Sequence, residues 1–150
     1  MISKQDLALS LQAYLTNIFQ EELAKVKPKS KGHNLYKSIA TDVQQTLFGD
    51  VVATVEADFY AYYVNSGRKK NLKGVPIYAL LRWFEEYNIT LRGKSARSSA
   101  FAMQNSIKAK GIKKAPFIDN AAARIEKNKT LDNMIEKYVN DLIEQHFTTL

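Results

Sequence analysis

Residues 100–118 read AFAMQNSIKAKGIKKAPFI: a helix, a glycine stop, a basic turn and the opening of a second helix. Phe101, Met103 or Gln104, Ile107 and Ala109 fall near helical spacing. Gly111 is placed to end that helix, because glycine takes a positive φ without strain. Lys108 and Lys110 occupy its last turn, where cations suit the negative end of the helix dipole. Pro116 suits the entry of the next helix, and Phe117 and Ile118 read as core anchors. An ordinary helix–turn–helix corner accounts for all of these features.

Outside this stretch, composition narrows the possibilities. A chain of 150 residues, 45% hydrophobic and 25% charged, supports one globular domain with a real core. The reading is therefore a single domain over 1–150. With no cysteine, disulfides and thiolate metal sites are excluded, and a reducing place of synthesis such as a cytoplasm is expected. The N-terminus does not read as a secretory leader, and no apolar run is long enough to span a membrane.

The net charge of +7 is unevenly spread. From Phe59 to Ile118 there are twelve basic residues, among them Arg68, Lys69, Lys70, Lys73, Arg92, Lys94, Arg97, Lys113 and Lys114. Only Glu85 and Glu86 oppose them, so the span carries +10 and the rest of the chain −3. Such a basic island attracts nucleic acid or an acidic protein surface, and it also serves simply as a solvated face.

Taken in order, Ser3 to about Val26 predicts a long helix, with Ser3 as its cap and Leu7, Leu11, Tyr14, Leu15, Ile18 and Glu22/Leu23 along one face. Pro28 stops it, and residues 27–34 form a polar basic linker. Residues 34–39 allow one helical turn. Ile39 to Leu47 and Val51 to Ala57 have strand alternation, joined by Phe48-Gly49-Asp50, and predict a β-hairpin. Since an isolated hairpin is marginal in water, the first helix is its expected cover. The aromatic run Phe59, Tyr60, Tyr62 and Tyr63 predicts a short helix ended by Gly67, with Phe59, Tyr62 and Tyr63 facing inward. Its alternative is a stacking platform for single-stranded nucleic acid beside Arg68-Lys69-Lys70.

Residues 68–75 read as a basic loop. Pro76 opens a helix through Tyr87 with Ile77, Leu80, Leu81, Trp83 and Phe84 as its apolar stripe. Residues 88–99 form a second basic loop, and Ser95 or Ser98 caps the helix that follows. After Pro116 a helix over 117–127 turns Ile118, Ala121, Ala122 and Ile125 to one side. Thr130 is read as the cap of a last helix striped by Leu131, Met134, Ile135, Tyr138, Leu142 and Ile143. The fold class is α+β: a small antiparallel β-hairpin packed against a long N-terminal helix and several C-terminal helices.

Catalytic patterns are absent from the sequence. His33 and His146 have no partner at metal-ligand spacing. Residues 67–74 contain two glycines but lack the Gly-Lys-Ser/Thr ending of a phosphate loop. No G-x-S-x-G occurs, and the adjacent Glu85 and Glu86 point about 100° apart on a helix. The expectation is a protein that is not an enzyme and that uses no cofactor or metal.

Three pieces, in order, resemble the tail-completion, or neck, protein family of tailed bacteriophages. Tyr60-Ala61-x-Tyr63-Val64-x-x-Gly67, directly after the hairpin, is similar to that family's Y-A-x-Y-V-E-x-G. Pro76, Leu80 and Trp83 match its P-x-x-x-L-x-x-W helix, and residues 100–118 its A-F-x-I-x-x-x-I-x-x-x-G-x-x-x-x-P-F-L end. Leu35-x-x-Ser38-Ile39 resembles its L-x-x-S-I, so the likeness covers about Asn34 to Ala123. Asn65 departs from the pattern, standing where the family has glutamate. An inter-subunit ion pair made by that glutamate would be missing here.

The resemblance implies a structural protein that assembles as a homo-oligomeric ring at the head–tail junction of a virion, made in the bacterial host cytoplasm. Its expected partners are itself, other neck, connector or tail proteins and, without sequence reading, packaged DNA; no membrane is involved. Arg68, Lys69, Lys70, Lys73, Arg92, Lys94, Arg97, Lys113 and Lys114 are the expected subunit, partner or DNA contacts. The alternative is a small basic nucleic-acid-binding domain without catalysis.

Overall fold

The computed structural model describes residues 4–45, 47, 50–73 and 75–148. Ser3, and Phe48 and Gly49 of the expected turn, lie outside the described residues. The fold is α+β, and its elements are α1 (Lys4–Val26), a short 3-10 turn (Pro28–Ser30), α2 (Asn34–Ser38), β1 (Ala40–Gln45), β2 (Val51–Glu56), α3 (Tyr60–Ser66), α4 (Ile77–Glu86), α5 (Ala96–Lys110), α6 (Phe117–Lys127) and α7 (Thr130–Thr148). Although the sequence reads as one domain, the contacts divide it into two compact units. The first is Met1–Asp58 with Phe117–Leu150, and the second is Phe59–Pro116.

The first unit is built on α1. Leu7, Leu11, Leu15, Ile18 and Leu23 are buried along one stripe, as their spacing predicts. Leu7 and Leu11 form a core with Tyr138 of α7, flanked by Val43, Leu131, Met134 and Leu142. Helix α6 packs on α1 through the buried Phe117 and Ala121. The hairpin pairs Ala40 with Glu56 through to Gln45 with Val51, antiparallel. It is tied to α1 by Thr16 Oγ1 and Thr41 Oγ1 at 2.9 Å. At its base, the Asp58 N–H donates to Ser38 Oγ at 3.1 Å.

Several expected faces differ in this unit. Strand β1 ends at Gln45, and Leu47 is exposed. Strand β2 is exposed except at Val55, because α1 packs mainly on β1 and touches β2 little. Ala122 lies exposed beside the buried Ala121. Ile135 and Ile143 also face solvent, because α1 covers only the Leu131–Met134–Tyr138–Leu142 side of α7. Thr130 is the first residue of α7 and not its cap: Asn128 Oδ1 accepts from both the Thr130 N–H (3.1 Å) and its hydroxyl (2.7 Å).

The second unit packs α4 against α5. Val75, Leu80, Phe84 and Ala100 are buried together, with Ile77, Leu81, Trp83, Met103 and Ile107 against them. Burying a side chain such as Leu80 or Phe84 contributes roughly 1.5–3 kcal/mol. Ser99 and Ala100 are fully buried because their small side chains let α4 approach closely. That choice of face turns Phe101 outward, 44% exposed, and leaves Ala109 on the surface, contrary to the expected spacing. Gln104 Nε2 donates to the Val75 carbonyl at 2.7 Å. Trp83 gathers Tyr60, Phe84 and Tyr87 around it, the Phe84 ring centroid lying at 5.0 Å.

Candidate interaction surface

The second unit coincides with the basic island: it ends at Pro116, two residues after the last of the twelve cations. Its organisation starts at the end of α3. Gly67 caps that helix at φ +70°, and its N–H donates to the Tyr63 carbonyl at 2.8 Å. Gly111 does the same for α5 at φ +71°, donating to the Ile107 carbonyl at 2.7 Å. The two chain segments leaving these caps then run side by side. The Arg68 N–H donates to the Ile112 carbonyl at 2.9 Å, and the Ile112 N–H returns a bond to the Arg68 carbonyl at 2.7 Å. The Asn71 N–H donates to the Lys108 carbonyl at 2.8 Å, and the Ala115 N–H to the Val64 carbonyl at 2.8 Å.

This bridge brings Arg68, Lys69, Lys70 and Lys73 together with Lys113 and Lys114, forty-odd residues away in sequence. The Arg68 guanidinium lies over the Tyr63 ring at 5.5 Å from its centroid and also donates to the Lys73 carbonyl. It thereby closes the loop that carries Lys69 and Lys70. Lys69, Lys70, Lys73, Lys113 and Lys114 are all exposed.

Arg92, Lys94 and Arg97 are not part of that cluster. They are exposed at the N-terminal end of α5, whereas Gly111 closes its C-terminal end. At about 1.5 Å per residue, α5 keeps the two groups roughly 20 Å apart. Their loop is shorter than expected, because Ala96–Ser99 are already helical. The Leu91 N–H donates to Ser99 Oγ at 2.8 Å, and Ser95 Oγ caps α5 by accepting from the Ser98 N–H at 3.2 Å.

The aromatic run divides in the same way. Ala61, Val64 and Asn65 are the buried residues of α3. Tyr62, expected to face inward, is 68% exposed, and Phe59 lies at the rim with 36% exposed. A seven-residue helix has only one covered side, and the small Ala61 and the branched Val64 occupy it. Tyr62 lines an open groove of about 480 Å³ with Arg68, Lys69, Leu72, Ile112 and Lys114. Burial raises the Tyr60 pKa above its ordinary value of 10.0.

A second depression, about 510 Å³, lies in the first unit beside Glu22 and Arg124. There the arginine is paired within its own unit, to Glu21 at 2.7 Å and Glu22 at 3.3 Å. Among the described residues that line the basic groove there is no carboxylate. Among the described residues no group of three His, Asp or Glu side chains is placed to hold a metal ion. The sequence reading missed the pairing of Arg68 with Ile112. Its signal was a helix-ending glycine followed by a basic run, present twice.

Comparison with known protein families, with curated proteins and with solved structures finds no match for this chain.

Proposed function

We propose that the chain is a non-catalytic structural subunit of a tailed phage or prophage, assembling head to tail into a ring at the head–tail junction. The observation that carries this reading is the placement of the resembling segments. The Tyr60–Gly67 piece forms a helix directly after the hairpin, the Pro76–Trp83 piece forms α4, and residues 100–118 form α5, its glycine stop and the start of α6. Gly67 and Gly111 then meet through their segments, which gives both glycines a joint structural purpose.

Two surface features favour self-association. The Phe59–Pro116 unit carries +10, while the other unit carries −3, so unlike surfaces are available on one chain. A heterologous contact of that kind closes into a ring when the rotation between copies is right. Helix α7 also exposes Ile135, Val139, Ile143 and Phe147 along successive turns, an apolar stripe that an interface would cover. Asn65 is buried within the second unit and carries no charge, so this position makes no inter-subunit ion pair in this chain. The expected partners remain other copies, neighbouring neck or tail proteins and the phosphates of packaged DNA.

The test is a search for the chain in purified virions of its source by mass spectrometry and electron microscopy. Several copies at the head–tail junction are the expected result. Absence from virions sinks the reading, and salt-sensitive binding of duplex DNA by the free chain would then favour a small basic nucleic-acid-binding domain.

A further inference from the structure

The groove beside Tyr62 combines two features that are seldom needed together by a plain solvated face. Its cations are Arg68, Lys69 and Lys114, brought to one place by the Arg68–Ile112 bridge. Among them stands one exposed planar ring. Tyr62 is held edge-to-face against Tyr63, with centroids 5.8 Å apart and planes at 78°. Arg68 already covers a face of Tyr63, which leaves Tyr62 as the available ring.

We propose that this groove binds single-stranded nucleic acid, with one base stacked on Tyr62 and the flanking phosphates held by Lys69 and Lys114. The volume of about 480 Å³ is the size of a small-ligand site and admits a nucleotide. Stacking on aromatic rings beside cations that follow the backbone is the general mode of sequence-tolerant single-strand binding. A duplex keeps its bases inside the stack, so it reaches the lysines and not the ring. An acidic peptide likewise engages the cations and leaves the ring unused. The two backbone segments that carry these cations are packed tightly together: a Cβ on Gly67 would come within 2.9 Å of the Lys114 backbone nitrogen. The inference stands on the Phe59–Pro116 unit alone and is independent of the ring reading.

The experiment measures anisotropy of a labelled oligothymidine of about ten nucleotides titrated with the full chain, against a duplex of equal length and against polyglutamate. Single strand is expected to bind more tightly than either competitor. Tyr62→Ala should weaken it by about 5- to 160-fold at fixed salt, while Tyr62→Phe retains most of the affinity. Lys114→Gln should lower the steepness of the salt dependence by about 0.7 in the log–log slope. Circular dichroism and melting of each variant separate binding from folding, and the 68% exposure of Tyr62 keeps its truncation away from the core. Equal binding of duplex and single strand, equal binding of polyglutamate, or an unchanged affinity in folded Tyr62→Ala each overturns the proposal.

Discussion

Gly67 and Gly111 occupy reciprocal positions across one antiparallel bridge. A Cβ on Gly67 would lie 2.9 Å from Lys114 N, and one on Gly111 would lie 2.4 Å from the Arg68 carbonyl oxygen. Both have φ near +70°, where a side chain is strained regardless of space.

Alanine at these positions should therefore be far more damaging than at other positive-φ glycines. Gly111→Ala is expected to destabilise the protein by about 2–4 kcal/mol and Gly67→Ala by about 2–3 kcal/mol, combining backbone strain with displacement of the paired segment. Gly32 and Gly93 also have positive φ but nothing within 4 Å of the added Cβ, so their alanine variants should cost only about 1 kcal/mol. Urea unfolding of the four variants checks the order. Equal losses at all four would show that the bridge contributes nothing beyond φ.

The half-buried phenol of Tyr60 predicts an alkaline weakness. Burial raises its pKa in the folded state above the ordinary 10.0, so the native state holds the proton more tightly than the unfolded one. Stability from this group is fully present below the unfolded pKa and declines as pH rises from about 10 through the raised folded value. Tyr60→Phe should flatten that decline and remove one late-titrating phenol from the ultraviolet titration of the eight tyrosines. An unchanged alkaline unfolding profile in the phenylalanine variant would show that Tyr60 ionisation does not contribute.

Tyr14 offers a stabilising change. Its hydroxyl is buried on α1 and has no hydrogen-bond partner among the described residues. Removing an unsatisfied polar atom while keeping the ring relieves its desolvation, so Tyr14→Phe should be neutral or stabilising by up to about 1 kcal/mol. A loss of more than about 1 kcal/mol in thermal or urea unfolding would show that the hydroxyl has a partner in solution.

Arg124 joins α6 to α1 asymmetrically. It reaches exposed Glu21 and also Glu22, whose side chain is only 9% exposed and is shared with Lys25 at 2.9 Å. The hydrogen bond that Arg124 donates to Glu21, ahead of the other contributions, raises the arginine's pKa above its ordinary value. A raised cation pKa gives stability below the unfolded value, so this guanidinium adds no pH dependence across the neutral range. Arg124→Ala should cost about 1 kcal/mol, limited by solvent screening around a side chain 35% exposed, because it leaves Glu22 to Lys25 alone. Glu21→Ala should cost about 0–0.5 kcal/mol. Chemical denaturation at low and high salt distinguishes the two, and equal costs would mean that Glu22 does not need the arginine.

Local chemistry determined where the elements lie. Pro28 ends α1, Pro76 precedes α4, Ser95 caps α5, Gly111 closes it, and α6 spans Phe117–Lys127 as its flanking signals require. Those signals act within one turn of the backbone, so they are legible without knowing what packs where. The basic island was equally plain, because it is a property of residue order. Tertiary structure alone decided which side of each helix is covered. Phe101 faces out and Ser99 and Ala100 face in because α4 comes close, and half of the α7 stripe stays open because α1 reaches only the other half. It also decided that Arg68–Lys73 joins Lys113 and Lys114, while Arg92, Lys94 and Arg97 stay at the far end of α5. That grouping rests on two backbone hydrogen bonds between residues 44 positions apart, a contact that no local periodicity encodes.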